Sequence, residues 1–269
     1  MQGTIRQFPT NFIRKLFIRF TCVFLCSALI FIYNFYEYKN SAGFTPTTNY
    51  SSETFLPNLT ACESGDTDRQ RFLLELFHGW TQFAHENNIP YCIFYGTLVG
   101  YVQHGNLISY DGDVDVLMLQ SDTARLVPFA ETNFSATYYL KLQPQWSTVG
   151  YENRSYFYDQ DINFVAPNAR FKRRGSYKFV DIYPGNTYHP DDPKNSTYRG
   201  KTLTIYDRSY YWLPLPIEWI FPLKPCLLTG IKTWCPAKPD KIVAKIYGSE
   251  SVNQSNYECV NNTWVRALF

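Results

Sequence analysis

Three aspartates at alternate positions, Asp111, Asp113 and Asp115, occupy Tyr110-Asp-Gly-Asp-Val-Asp115, and an apolar run through Leu119 follows them. Side chains at i and i+2 share one face of a strand, so a strand here aims all three carboxylates one way. Converging carboxylates repel unless a cation neutralises them, and hard oxygen ligands favour Mg2+ or Mn2+. A further carboxylate, Asp181 in Lys178-Phe-Val-Asp-Ile-Tyr-Pro184, stands alone in an otherwise apolar strand. Buried without a partner it would take up a proton or destabilise the fold, so it faces a cation or a donor. The competing reading is an edge-strand residue facing water. The chemistry these residues suit is a cation-assisted reaction at the phosphates of a nucleotide.

A lone Asp-X-Asp is weak, and Asp66-Thr-Asp68 and Asp159-Gln-Asp161 read as a helix cap and a loop. Asp113-Val-Asp115 stands out because a strand, the turn Gly96-Thr97 and a short helix precede it. The densest basic cluster outside the N-terminus is Arg170-Phe-Lys172-Arg173-Arg174-Gly175. It reads either as a solvated loop or as a phosphate clamp in which Lys172, Arg173 and Arg174 face the acidic site.

The elements that position these residues follow from periodicity. Phe72, Leu73, Leu76, Phe77, Trp80, Phe83 and Ala84 recur at helical spacing after the cap at Asp66 to Asp68. A strand is expected over 89–95, a short helix from Gly96 to about Gln103, and the acidic strand over about 113–119. Ser121 is placed to cap a helix over 122–131, and strands are expected at 137–142, 161–166 and 178–183. The Pro- and aromatic-rich stretch 213–226 reads as an ordered loop, and 238–247 as a final helix with Gly248 at its C-cap. There is no internal repeat.

The 269 residues allow one domain of substantial core plus extra segments. A net charge of +2 is too small to point to nucleic acid, so no nucleic-acid partner is expected. Residues 20–36 are uncharged and apolar, follow Arg6, Arg14, Lys15 and Arg19, and run into Tyr33, Phe35, Tyr36 and Tyr38. That pattern predicts an uncleaved membrane anchor with a cytosolic tail at 1–19 and everything beyond in the secretory lumen. A cleaved signal peptide competes, since Ser41-Ala42-Gly43 offers small residues, but a polar-aromatic stretch separates that site from the apolar run. Residues 37–65 read as a polar stem. Glycosylation sequons at Asn49, Asn58, Asn133, Asn153, Asn195, Asn253 and Asn261 all follow the anchor, and composition alone gives roughly two or three. Five cysteines lie outside the anchor: Cys62, Cys92, Cys226, Cys235 and Cys259. In an oxidising lumen they suit two disulfides and one free thiol, with Cys226–Cys235 the best single pair. No cysteine or histidine spacing suggests zinc.

Five ordered blocks carry a resemblance. Gly96-Thr-Leu-Val-Gly100, Gln103-His-Gly-Asn-Leu-Ile108, Tyr110-Asp-Gly-Asp-Val-Asp115, Val180-Asp-Ile-Tyr-Pro184 and Phe221-Pro-Leu-Lys-Pro-Cys226 resemble, in order, the LicD/fukutin-related family. The resemblance extends over about residues 70–250 and includes the Ile-Tyr-Gly ending of the final helix. It implies an α/β (α+β) nucleotidyltransferase-like mixed β-sheet flanked by helices, here in a domain at 66–250 between the stem and a tail at 251–269. It also implies a phosphotransferase that moves a phospho-polyol or phosphocholine group from a CDP-linked donor to the glycan of a glycoprotein. Asp113, Asp115 and Asp181 would then be catalytic and hold Mg2+ or Mn2+ together with Asp111, while Gly96 and Thr97 would lie at the nucleotide phosphates. The membrane anchor would place the protein in the Golgi or ER as a single-pass type II protein. Two positions depart from the family: Gln103 stands where Arg is common, and Gly112 where an acid is frequent. Two alternatives follow, an inactive relative that binds or scaffolds glycans, and a glycosyltransferase that uses Asp-X-Asp to bind a nucleotide sugar.

Overall fold

The computed structural model describes residues 44–56, 59–130, 132–148, 150–189, 194, 200–206 and 211–267. The expected cytosolic tail and anchor, and the sequons at Asn58 and Asn195, lie outside the described residues. Among the described residues no helix is long and apolar enough to cross a membrane.

The chain folds as a mixed α/β protein. Helix α1 (Asp66–Glu86) precedes strand β1 (Cys92–Ile93), helix α2 (Tyr95–His104) and strand β2 (Val114–Leu119). Strands β3 (Tyr138–Leu142), β4 (Ala169–Arg173) and β5 (Phe179–Gly185) complete a five-stranded sheet of order β1-β2-β5-β4-β3. Its central pair, β2 and β5, is parallel, and its other pairings are antiparallel. Hairpins β6 (Thr202–Tyr206)–β7 (Trp212–Pro216) and β8 (Lys224–Leu228)–β9 (Ile231–Cys235) follow. Helix α3 (Pro239–Tyr247) then leads to a last hairpin, β10 (Tyr257–Val260)–β11 (Thr263–Arg266).

Strand alternation divides the sheet into two faces. Val114, Val116, Val180, Ile182 and Phe171 point one way and are fully buried. Helix α1 covers them, with Trp80 and Phe83 packed on Phe171 at ring-centroid distances of 5.6 and 5.3 Å. The core stripe of α1 uses Leu74 where the sequence reading had Phe72; Phe72 is half-buried beneath the Arg173 guanidinium. At Gly79 a ring of the sheet, Tyr138, lies close against the helix backbone, and a Cβ there would collide with it unless the ring shifts. The opposite face of the sheet carries Asp115, Asp181 and Tyr183.

Several local expectations change. The stretch 161–166 is not a strand: Asp161 turns the chain in the left-handed region (φ 57°), and only Ile162 bridges back to Phe157. The helix over 122–131 is a 3-10 helix, Gln120–Leu126, plus one turn, Val127–Ala130, and Ser121 caps nothing. Pro128 in that turn lacks the N–H a longer helix needs there. The basic cluster is strand β4 and its exit, not a loop. The Pro-rich stretch holds β7 and β8, because a two-stranded hairpin leaves outward positions where a missing N–H costs nothing.

Nor are the two ends of the domain loose. In the expected stem, Phe44 lies on Trp234 (4.4 Å between centroids), and Thr47 accepts from Lys232 N at 3.1 Å. Tyr50 stacks on Phe55 at 5.6 Å. In the expected tail, β10 and β11 are covalently fastened by a Cys62–Cys259 disulfide.

Candidate functional site

Register creates the acidic centre. Because β2 and β5 run parallel with Asp115 opposite Asp181, two carboxylates from distant parts of the chain emerge side by side on one face. Asp113 precedes β2 by one residue, and ligand oxygens of Asp113, Asp115 and Asp181 all lie within 4.8 Å of one another. Helix α2 fixes Asp115 from both ends. Gly96 N–H donates to Asp115 Oδ2 (3.1 Å), and Thr97 Oγ1 accepts from Asp115 N–H (2.8 Å). The turn therefore organises a carboxylate directly. A Cβ at Gly96 would lie 2.5 Å from Asp111 Oδ2 and 3.4 Å from Asp115 Oδ2, so only glycine lets these groups close in. Asp111 stands beside Gly96 at the cavity wall, outside the three-carboxylate cluster.

The electrostatics match that crowding. Burial pushes the Asp115 carboxyl well above the usual carboxylate range, and Asp113, Asp111 and Asp181 push it further. Burial also raises Asp181, to about 7, although the Arg170 guanidinium beside it pulls the other way. Arg170 Nε donates to Asp181 Oδ1 at 2.8 Å, with its Cζ 3.9 and 4.5 Å from the ring centroids of Phe179 and Phe164. With all three ionised, as on a bound metal, the carboxylates against one guanidinium leave two negative charges, the amount a single divalent cation carries. The donor set is oxygen only, which suits Mg2+ or Mn2+.

The basic residues divide unexpectedly. Lys172 pairs with Asp161 (3.4 Å), Arg173 with Glu75 (2.9 Å), and Arg174 bonds Asn133 (2.9 Å). None of these three lines the cavity. On β4, Arg173 points to the α1 face, while Arg170 and Lys172 share the acidic face. Arg170, two residues before the proposed clamp, is the one that reaches the carboxylates. Two further cations were missed. Arg69 lines the cavity, and Lys178 Nζ would lie 3.6 Å from a Cβ at Gly112. Burial and Arg69 lower the Lys178 pKa, against the pull of Asp113 and Asp111.

A cavity of about 770 Å3 opens over Asp111, Asp113 and Asp115, a size typical of small-molecule sites. Tyr95, Tyr151, Tyr183 and Tyr206 form one part of its lining, and Tyr110, Tyr257 and Trp264 another. Gln103 also borders it, but its amide is bound to the Ser251 and Gln254 carbonyls (2.9 and 2.7 Å). Gln103, expected to stand where the family has arginine, thus fastens the segment leading to the last hairpin.

The expected Cys226–Cys235 disulfide is formed, and among the described residues Cys92 is the free, buried cysteine. The sequon asparagines among the described residues, Asn49, Asn133, Asn153, Asn253 and Asn261, are all exposed.

No curated protein matches the chain. The family described as LicD/FKTN/FKRP, nucleotidyltransferase domain, matches residues 88–238, more than half of the sequence and the stretch that holds every carboxylate of the cluster. The parallel pair, the carboxylates it aligns and this match agree: the chain belongs to the LicD/FKTN/FKRP family.

Proposed function

We propose that the protein is a metal-dependent phosphotransferase that moves a phospho-polyol or phosphocholine group from a CDP-linked donor onto a glycan. The observation that carries this is the Asp113–Asp115–Asp181 cluster, of which Asp113 and Asp115 line a cavity within a LicD-type domain. When bound, Mg2+ or Mn2+ neutralises charge on the donor's phosphate oxygens and on the departing CMP. Asp113 and Asp115 would hold it, with Gly96 and Thr97 keeping Asp115 in place. Asp181 Oδ1 is committed to Arg170, whereas Oδ2 has only long contacts, to Arg170 at 3.5 Å and Tyr183 at 3.4 Å. Oδ2 would therefore be the atom to take the proton of the attacking sugar hydroxyl. The hydroxyl oxygen bonds to the transferred phosphorus, the bond to CMP breaks, and CMP carries away the electron pair. Arg69 borders the cavity with its guanidinium held by Asp66 and the Ser109 carbonyl, and would offset donor phosphate charge from that fixed position.

The same reading places the protein in the Golgi or ER membrane, anchored by residues 20–36 with the domain in the lumen. Two disulfides and five exposed sequon asparagines support it. The test is CMP release from CDP-ribitol, CDP-glycerol or CDP-choline with Mn2+. Wild type should release CMP from one of them, and Asp113→Asn should not. Equal release by the two refutes the metal assignment; turnover of UDP- or GDP-sugars alone would point to a glycosyltransferase.

A further inference from the structure

The last hairpin lies beyond the family-matched stretch, yet it walls the cavity. Exposure separates the aromatic groups there. Tyr95 and Tyr151, on the Asp181 side, are 8% and 6% exposed, whereas Tyr257 is 39% exposed. The deep tyrosines are also packed edge-on against one another: Tyr95 with Tyr183 at 4.8 Å, and Tyr151 with Tyr206 at 4.3 Å. Tyr257 and Trp264 instead converge on Tyr110, at 4.6 and 5.1 Å, on the outer side next to Asp111.

This outer wall is held rigidly. Trp264 donates its indole N–H to Asp66 Oδ2 (3.0 Å) and its backbone N–H to Glu63 Oε1 (3.0 Å). Asp66 is fully buried, and its carboxylate also takes the Cys62 and Glu63 amides (2.8 Å each) and the Arg69 guanidinium (2.5 Å). The Cys62–Cys259 disulfide adds a covalent tie. The polar edge of Trp264 is thus satisfied within the protein and its orientation is set before any ligand arrives.

We propose that Tyr110, Tyr257 and Trp264 form an acceptor subsite that stacks a neutral sugar ring of the incoming glycan, with Asn256 and Glu63 at the cavity to bond its hydroxyls. The inference rests on the phosphotransferase reading. An acceptor carried on a large glycoprotein can enter only from the open side, where these rings lie; a small donor can reach the deep side. The negative faces of aromatic rings suit the polarised C–H edges of a pyranose.

Saturation-transfer NMR on the full chain tests this, with the methyl β-glycosides of glucose, galactose, xylose and N-acetylglucosamine as probes. Calorimetric titration with CMP and Mn2+ runs alongside. Wild type should pass saturation to the ring protons of at least one glycoside. Trp264→Ala should weaken that binding roughly tenfold while Trp264→Phe largely keeps it, and CMP affinity should change by less than about twofold. Tyr257→Ala, which leaves the Asp66 network intact, should weaken the glycoside likewise and serves if Trp264→Ala does not fold. The subsite is refuted if wild type binds none of the four, or if the variants weaken CMP and leave the glycoside untouched. Glycoside binding without CMP release from any CDP donor would refute the transfer reaction and leave the subsite standing.

Discussion

Removing divalent cations should make the stability of this protein fall as pH rises, and Asp181 gives a scale for the effect. Its carboxyl goes from an ordinary 3.8 to about 7 on folding, which corresponds to about 4 kcal/mol of differential proton binding. The folded state holds this proton more tightly than the unfolded chain, so the contribution is fully present below about pH 4. It is lost progressively up to about pH 7 and is flat above. Asp115, raised by burial and by three neighbouring carboxylates, adds with the same sign. At about 2–4 °C per kcal/mol for a domain of this size, the melting temperature in EDTA should drop on the order of 10 °C between pH 4 and pH 8. A cation at a hundredfold excess over its Kd should return about 2.7 kcal/mol at pH 8, and less at pH 5, where protons compete for the same oxygens. Differential scanning calorimetry across this range, with EDTA or Mn2+, reads both effects; Asp181→Asn should lose its share of the slope. If chelated wild type shows the same slope as Asp181→Asn, Asp181 does not carry that proton; if Mn2+ raises the melting temperature equally at pH 5 and pH 8, the carboxylate cluster is not the cation site.

Gly96→Ala should lower Mn2+ affinity at least as much as activity, because its Cβ intrudes on Asp111 and Asp115; overpacking of about 1–3 kcal/mol is expected, read by calorimetry and urea unfolding. Arg170→Ala leaves Asp181 buried without its cation and should cost roughly 3–5 kcal/mol in urea unfolding above pH 7, less at pH 5, where Asp181 carries a proton. Gln103→Ala should leave Mn2+ binding intact and raise amide hydrogen exchange over residues 249–256, since it removes the two bonds that hold this segment to α2. Unchanged exchange there would refute the fastening role.

The parts of the fold set by local pattern were readable: the stripe of α1, the runs around Asp115 and Asp181, the close Cys226–Cys235 pair. What escaped depends on pairing across the chain. Nothing near Asp115 says that Asp181 lies beside it in register. Once that pairing is known, alternation sends Arg170 to the acid and Arg173 to Glu75, a split invisible in a run of four basic residues. The last hairpin escaped because 251–269 is polar and mostly exposed, and its order comes from Cys62, Glu63 and Asp66 at the far end of the domain. Pro214, Pro216 and Pro225 argued against strands, correctly for a central strand and wrongly for hairpins.

The Cys62–Cys259 link also has a consequence in time. The two cysteines are 197 residues apart, so at ribosomal rates Cys62 emerges roughly 10–40 s before its partner exists. For most of that wait, until Cys226 and Cys235 emerge, the only later thiol is Cys92, a wrong partner 30 residues on. Cys92 lies in β1, 2% exposed, and burial pushes its thiol far from the thiolate that exchange requires. Early docking of β1 against β2 would therefore protect Cys62 from mispairing. A Cys92 left exposed by a slow-folding variant should appear as Cys62–Cys92 material in a pulse-chase under oxidising conditions, before any loss of stability of the finished protein is measurable.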